Sequence, residues 1–150
     1  MNKLIKRLGA LSVTLLLSAC GQDYGVDQHG QAVEAQGKWL IINYWATWCG
    51  PCRSEIPELN QLDKRLSAHN AKILGVNFDG LQGEALAAAA KELGIEFSVL
   101  ATDPAERLGI ARSAVLPITH IVDPQGQVRM SLPGEQHAEG LLRELNKLQE

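Results

Sequence analysis

The chain carries three cysteines in 150 residues, and only two of them, Cys49 and Cys52, stand in a CxxC spacing. No second CxxC and no paired-histidine motif accompanies them, so the four-ligand set of a structural zinc site is missing and no metal or organic cofactor is expected. Positive charge is not in excess either. Fourteen Lys and Arg stand against 17 Asp and Glu, whereas binding to nucleic acid calls for a basic face. The apolar stretch 8–17 is too short for a stable transmembrane span. Internal repeats and low-complexity blocks are absent, and at this length one domain with one core is expected.

What the chain does have is Trp48-Cys49-Gly50-Pro51-Cys52, entered from the apolar run Trp39-Leu40-Ile41-Ile42-Asn43-Tyr44-Trp45. This places two thiols where a strand hands over to a helix. Three residues apart on a helix beginning near Gly50, they share a face and can close a small disulfide ring. Cys49 falls at the helix N-terminus, where unpaired N–H groups and the helix dipole favour a thiolate, so it is the expected nucleophile. Cys52, one turn further in, is expected to be shielded and protonated until it attacks the mixed disulfide formed at Cys49. Pro51 suits the first helical turn, where its missing N–H costs nothing. A disulfide serving stability alone gains most from a long loop, so the short ring reads as a redox pair.

Residues 1–19 have a basic start (Lys3, Lys6, Arg7), an apolar middle and small residues before Cys20, the pattern of a secretory signal. Leu17-Ser18-Ala19-Cys20 resembles the bacterial lipobox, which implies a lipid on Cys20 and membrane attachment through it. Removing residues 1–19 leaves 131 residues and takes the basic count from 14 to 11 against 17 acids. Residues 20–30 read as a lipidated N-terminus and polar tether, and 31–150 as the folded domain. Aspartate after the lipidated cysteine usually retains such proteins at the inner membrane. Gly21 therefore favours the outer membrane, facing the periplasm.

From residue 31 onward short apolar runs alternate with helical patterns, which predicts an α/β domain. Strands are expected at 31–34, 39–45, 73–78, 97–100, 118–122 and 127–132. Helices are expected at 50–68, where Ile56, Leu59, Leu62 and Leu66 share a face, and at 84–93 and 103–110. A final helix carries Leu141, Leu142, Leu145 and Leu148.

The runs Asn43-Tyr44-Trp45-Ala46-Thr47-Trp48-Cys49-Gly50-Pro51-Cys52-Arg53-Ser54-Glu55-Ile56-Pro57 and Leu116-Pro117-Ile118-Thr119-His120-Ile121-Val122-Asp123 resemble the TlpA/ResA/DsbE group of exported thioredoxin-fold thiol-disulfide oxidoreductases, here in lipoprotein form. The resemblance covers nearly all of 27–150. It implies a three-layer α/β/α sandwich with a central mixed sheet, in which 80–101 supplies the inserted helix and strand of the group. It places Pro117 at the fold's cis-proline, turning the backbone of Leu116 toward an incoming cysteine-containing segment, with Trp48, Gly50 and Pro51 completing the substrate surface. Ordinary thioredoxins have a buried aspartate six residues before the first cysteine, where this chain has Asn43. Glu55, three residues after Cys52, resembles the acid the group uses instead and is expected to help deprotonate Cys52 or tune it.

The activity so implied is disulfide reduction of periplasmic proteins by a monomer, with electrons from a membrane donor of the DsbD/CcdA type, since an oxidising periplasm supplies none itself. Two other readings stand beside it. A thiol peroxidase-like redoxin, with antioxidant activity, would use a threonine three residues before its reactive cysteine, but Thr47 lies two before Cys49. A copper-binding metallochaperone would use Cys49, Cys52 and His120. A lone strand histidine is more often a packed, hydrogen-bonded residue than a ligand.

Overall fold

The computed structural model describes residues 23–150. Residues 1–19, expected to be a signal segment, and Cys20 and Gly21 lie outside the described residues.

The apolar run forms β1 (Trp39–Trp45), buried at every position after Trp39 because both faces of the strand are covered. Then come α1 (Gly50–Leu66), β2 (Ala71–Asn77), α2 (Gly83–Glu92), β3 (Ser98–Val99), α3 (Ala105–Leu108), β4 (Ile118–Val122), β5 (Val128–Pro133) and α4 (Ala138–Gln149). The sheet order is β3-β2-β1-β4-β5. β2 runs parallel to β1 and β3, while β4 runs antiparallel to β1 and β5, so the sheet is mixed, as expected. The inserted helix and strand of 80–101 are α2 and β3.

Side chains alternate along β1. Ile41 and Trp45 face α1, α2 and α4, joining Ile56, Leu59, Leu62, Leu66, Leu86 and Leu141 in the larger core cluster. Leu40, Ile42 and Tyr44 face the other way, with Leu74, Val76 and Val122. Each large aliphatic side chain sealed in this way contributes roughly 2 kcal/mol of apolar transfer. Gly75 on β2 marks a tight crossing: a Cβ there would stand 3.0 Å from Trp45 Nε1, 3.1 Å from Phe97 and 3.1 Å from Val99.

The two helical layers are unequal. Three helices pack on one face, whereas the other is covered by the four-residue α3 and by chain from the N-terminal side, with Tyr24 and Ala35 buried there. The strand expected at 31–34 does not form. Asp27 Oδ1 accepts from the N–H groups of His29 and Gln31, Gly30 takes φ +75°, and the chain turns back on itself through a single Val26–Ala32 bridge. Residues 23–30 also differ from the tether expected of them. Tyr24 is 5% exposed beneath the Arg107 guanidinium, at 3.9 Å. Gln28 Oε1 accepts the Val99 N–H at 2.7 Å, and Asp27 bridges Leu100. The segment thereby occupies the outer edge of β3, which would otherwise stand open.

Candidate active site

The end of β1 and the start of α1 build the redox centre. Phe78 N–H donates to Trp45 C=O at 2.8 Å, fixing the strand end, and Cys49 N–H donates to Ala46 C=O at 3.2 Å, closing the turn into the helix. Cys49 is the N-cap of α1, and its Sγ accepts the Cys52 N–H at 3.2 Å. Gly50 and Pro51 are the first two helical residues, and the first turn holds no acid that would offset the positive end of the dipole. Cys49 and Cys52 form a disulfide with S–S 2.05 Å and Cα–Cα 5.3 Å. Cys49 keeps 4% exposure and Cys52 none, so both residues are buried in the larger core cluster.

Around this pair the structure gathers residues distant in sequence. Leu116–Pro117 is cis, as expected. Pro117 is buried, its carbonyl accepts the Gly134 N–H at 2.8 Å, and Leu116 packs against the cluster containing both cysteines. Trp48 is 65% exposed yet fixed: its indole N–H donates to Asp79 Oδ2 at 3.0 Å, and its ring meets the Phe78 ring edge-on at 6.3 Å. The Arg112 guanidinium lies over the far partner of that pair, 3.8 Å from the Phe78 centroid. An exposed, held aromatic beside a disulfide is suited to covering an incoming polypeptide.

Glu55 is buried, at 1% exposure, one helical turn beyond Cys52. Its Oε1 accepts from Asn43 Nδ2 at 2.6 Å and its Oε2 from the Gln136 N–H at 2.8 Å. Asn43 Nδ2 also donates to Thr119 Oγ1 at 3.1 Å. Burial pushes the Glu55 carboxyl up to about 7; the Gln136 N–H, the Asn43 amide and the nearby His137 oppose the rise, and Glu135 adds to it. An acid poised there exchanges its proton at neutral pH.

His120 lies elsewhere. It is 4% exposed, its Nδ1 is 2.8 Å from Ser131 Oγ, and its ring meets Tyr44 edge-on at 5.7 Å. Tyr44 belongs to the cluster on the sheet face opposite the one holding the cysteines. The sheet therefore separates His120 from Cys49 and Cys52, which removes the copper reading's ligand set. Burial keeps the imidazole below its ordinary proton affinity.

The sequence reading placed Asn43 and Glu55 near the site separately and missed that they touch. It gave Thr119 no role beyond its place in the run 116–123, and it missed Asp79 and Gln136 altogether. Gln136 acts through its backbone, so its side chain carries no signal, and only the strand pairing of Asn43 with Thr119 would have brought the hydroxyl into view.

A family model described as the AhpC/TSA family matches residues 18–131. The thiol-disulfide oxidoreductase ResA of Geobacillus kaustophilus is 28% identical over 113 residues, covering 75% of this chain and 64% of that protein. ResA of Bacillus cereus is 28% identical over 125 residues, covering 81% and 72%. These alignments span roughly two thirds of the relatives' length. A thioredoxin-family thiol:disulfide interchange protein from Chlorobium tepidum superposes with a TM-score of 0.67 at 26% identity, covering 82% of this chain and 90% of that one.

Proposed function

Since the chain belongs to the AhpC/TSA family, in its ResA/DsbE/TlpA-type group of thiol-disulfide oxidoreductases, we propose that it reduces protein disulfides in the periplasm while anchored to a membrane by a lipid on Cys20. The observation that carries the reductase chemistry is the Cys49–Cys52 disulfide at the start of α1, with Cys49 as N-cap and Cys52 sealed.

In the reduced form the Cys49 thiolate attacks one sulfur of a substrate disulfide. That S–S bond breaks, and the departing substrate sulfur takes up a proton. Cys52 then gives its proton to the Glu55 carboxylate and attacks Cys49 Sγ. The bond between Cys49 and the substrate breaks, the second substrate sulfur leaves as a thiolate and takes a proton from water, Glu55 returns its own proton to solvent, and two electrons have passed to the substrate. Trp48, Gly50, Pro51 and Leu116 form the surface on which the substrate docks.

The resulting Cys49–Cys52 disulfide is reset by a membrane electron donor of the DsbD/CcdA type. The lipobox-like Leu17-Ser18-Ala19-Cys20 supports the anchor, and Gly21 supports the outer membrane. Among the described residues no helix is long and apolar enough to cross a membrane. In related proteins the reductant often keeps haem-site cysteines as thiols, a role that belongs at the inner membrane and is weakened by an outer-membrane address.

The test is the redox state of Cys49 and Cys52 in living cells, read by mass-tagged thiol trapping in a parent strain and in one lacking membrane electron donors. Thiols in the parent and a disulfide without the donors establish the reductase. A disulfide in both strains overturns it. Fractionation that recovers the protein only with inner-membrane markers would overturn the outer-membrane assignment.

A further inference from the structure

Glu55 is followed one turn later on α1 by Glu58, and both acids bind the chain that runs from β5 into α4. Gln136 N–H donates to Glu55 Oε2 at 2.8 Å and Ala138 N–H to Glu58 Oε2 at 2.9 Å. The His137 imidazole Nδ1 lies 3.0 Å from Glu58 Oε1. The same segment begins at Gly134, whose N–H donates to the carbonyl of Pro117, and the Gln136 side chain folds back onto Gly134 C=O at 2.9 Å. Residues 134–138 thus tie together the cis-proline, the acid beyond Cys52 and the start of α4.

Capping alone does not account for this arrangement. His137, the N-cap of α4, makes no side-chain cap bond, and Glu58 supplies an acceptor to the first helical N–H from the neighbouring helix. One acid suffices for that. Placing a second acid, Glu55, at 1% exposure adds a solvation cost that a cap does not require.

We propose that residues 134–138 are a positioning clamp for disulfide exchange, in which the Gln136 N–H fixes the Glu55 carboxyl and the next residue, His137, held by Glu58, places a positive charge beside that bond. The inference rests on the reading of Glu55 as the proton acceptor of Cys52. His137 and Glu135 act on Glu55 from the clamp, with opposite sign. On α1 the titrating neighbours are Glu58 and, once reduced, Cys52. The residues of β1 and β4 that form the pocket, Asn43 and Thr119, are neutral. Glu58 holds His137 above the ordinary imidazole range, so the cation persists to higher pH than on a free histidine.

The experiment is carbon-13 carboxyl NMR of the full-length protein, with the Glu55 signal assigned by its loss in Glu55→Gln, together with the pH profile of exchange. His137→Ala moves the Glu55 midpoint upward and leaves a smaller ionised fraction below it. His137→Gln keeps a hydrogen-bond donor for Glu58 but no charge, and gives the same shift. His137→Lys restores the charge and returns the midpoint. Circular dichroism verifies that each variant folds. An unmoved midpoint in His137→Ala and His137→Gln, or a failure of lysine to restore it, overturns the clamp and leaves 134–138 as a cap. A midpoint that moves while the exchange profile stays fixed keeps the contact with Glu55 and overturns instead the link between Glu55 and Cys52.

Discussion

Asn43 Nδ2 donates to Glu55 Oε1 at 2.6 Å, joining the residue six places before Cys49 to the acid three places after Cys52 in one buried unit. The bond exists because β1 and α1 meet at the redox turn. Asn43 faces α1 from the strand, and Glu55 faces the sheet from the helix. Asn43 Oδ1 is buried and has no hydrogen-bond partner among the described residues. Rotation of the amide would therefore let Asn43 accept from a protonated Glu55 as well as donate to an ionised one. The pair is matched to a carboxyl that changes state.

Asn43→Asp puts a second carboxyl against Glu55. Two carboxylates at this distance cannot both ionise cheaply, so they share a proton and the upper midpoint rises above the value near 7 set by burial. Disulfide exchange by the variant should lose rate at pH 7 and recover toward pH 9. Stopped-flow reaction of the reduced protein with a disulfide peptide across that range checks it, and a profile superimposable on the parent's would show that residue 43 does not act on Glu55.

Glu55 also ties stability to pH. Its folded-state midpoint of about 7 lies above the 4.5 of a free glutamate. Folding therefore favours the protonated form, and the stabilisation is complete below about 4.5. It is lost as pH rises toward 7, up to about 3 kcal/mol in total. Glu55→Gln removes the proton equilibrium while keeping the shape. Denaturant titrations at pH 5 and pH 8 should show the parent losing stability over that interval and the variant losing less, with the variant the more stable of the two at pH 8.

Much of this is legible in the sequence. The CxxC at a strand-to-helix junction, the 3.6-residue spacing of Ile56, Leu59, Leu62 and Leu66, and the Leu116-Pro117 step each carry a local physical cause, and each is where the sequence put it. Contacts made by backbone groups or across long separations were not legible. Gln136 reaches Glu55 over 81 residues through an N–H that any residue but proline would supply. The segment around Tyr24 read as a tether because its polar, glycine-rich composition is that of a linker. It is ordered by an edge strand and an arginine that the linear sequence does not place beside it.

Trp48 offers a test of docking apart from chemistry. Asp79 holds the indole against the half-buried Phe78, and Asp79 itself lies at the surface. Asp79→Ala should change unfolding free energy by less than about 0.5 kcal/mol, as surface substitutions usually do. It should still raise KM for a folded protein disulfide several-fold, because the freed ring must be ordered again on docking. Turnover of a small-molecule disulfide, which does not use the ring, should be unaffected. Equal losses on both substrates would place the effect of Asp79 in the chemistry instead.

Gly75→Ala probes the support beneath the site. β2 passes Trp45 so closely that the added methyl would stand 3.0 Å from the indole nitrogen, with Phe97 and Val99 at 3.1 Å on its other sides. Trp45 is fully buried and shares its cluster with both cysteines, so a shift of its ring is passed into the packing around the disulfide. Overpacking of this kind costs about 1–3 kcal/mol. We expect a denaturation midpoint lowered accordingly, a changed indole fluorescence, and a displaced potential for the Cys49–Cys52 pair measured against glutathione. A loss of stability with an unchanged potential would show that the sheet absorbs the methyl before it reaches the disulfide.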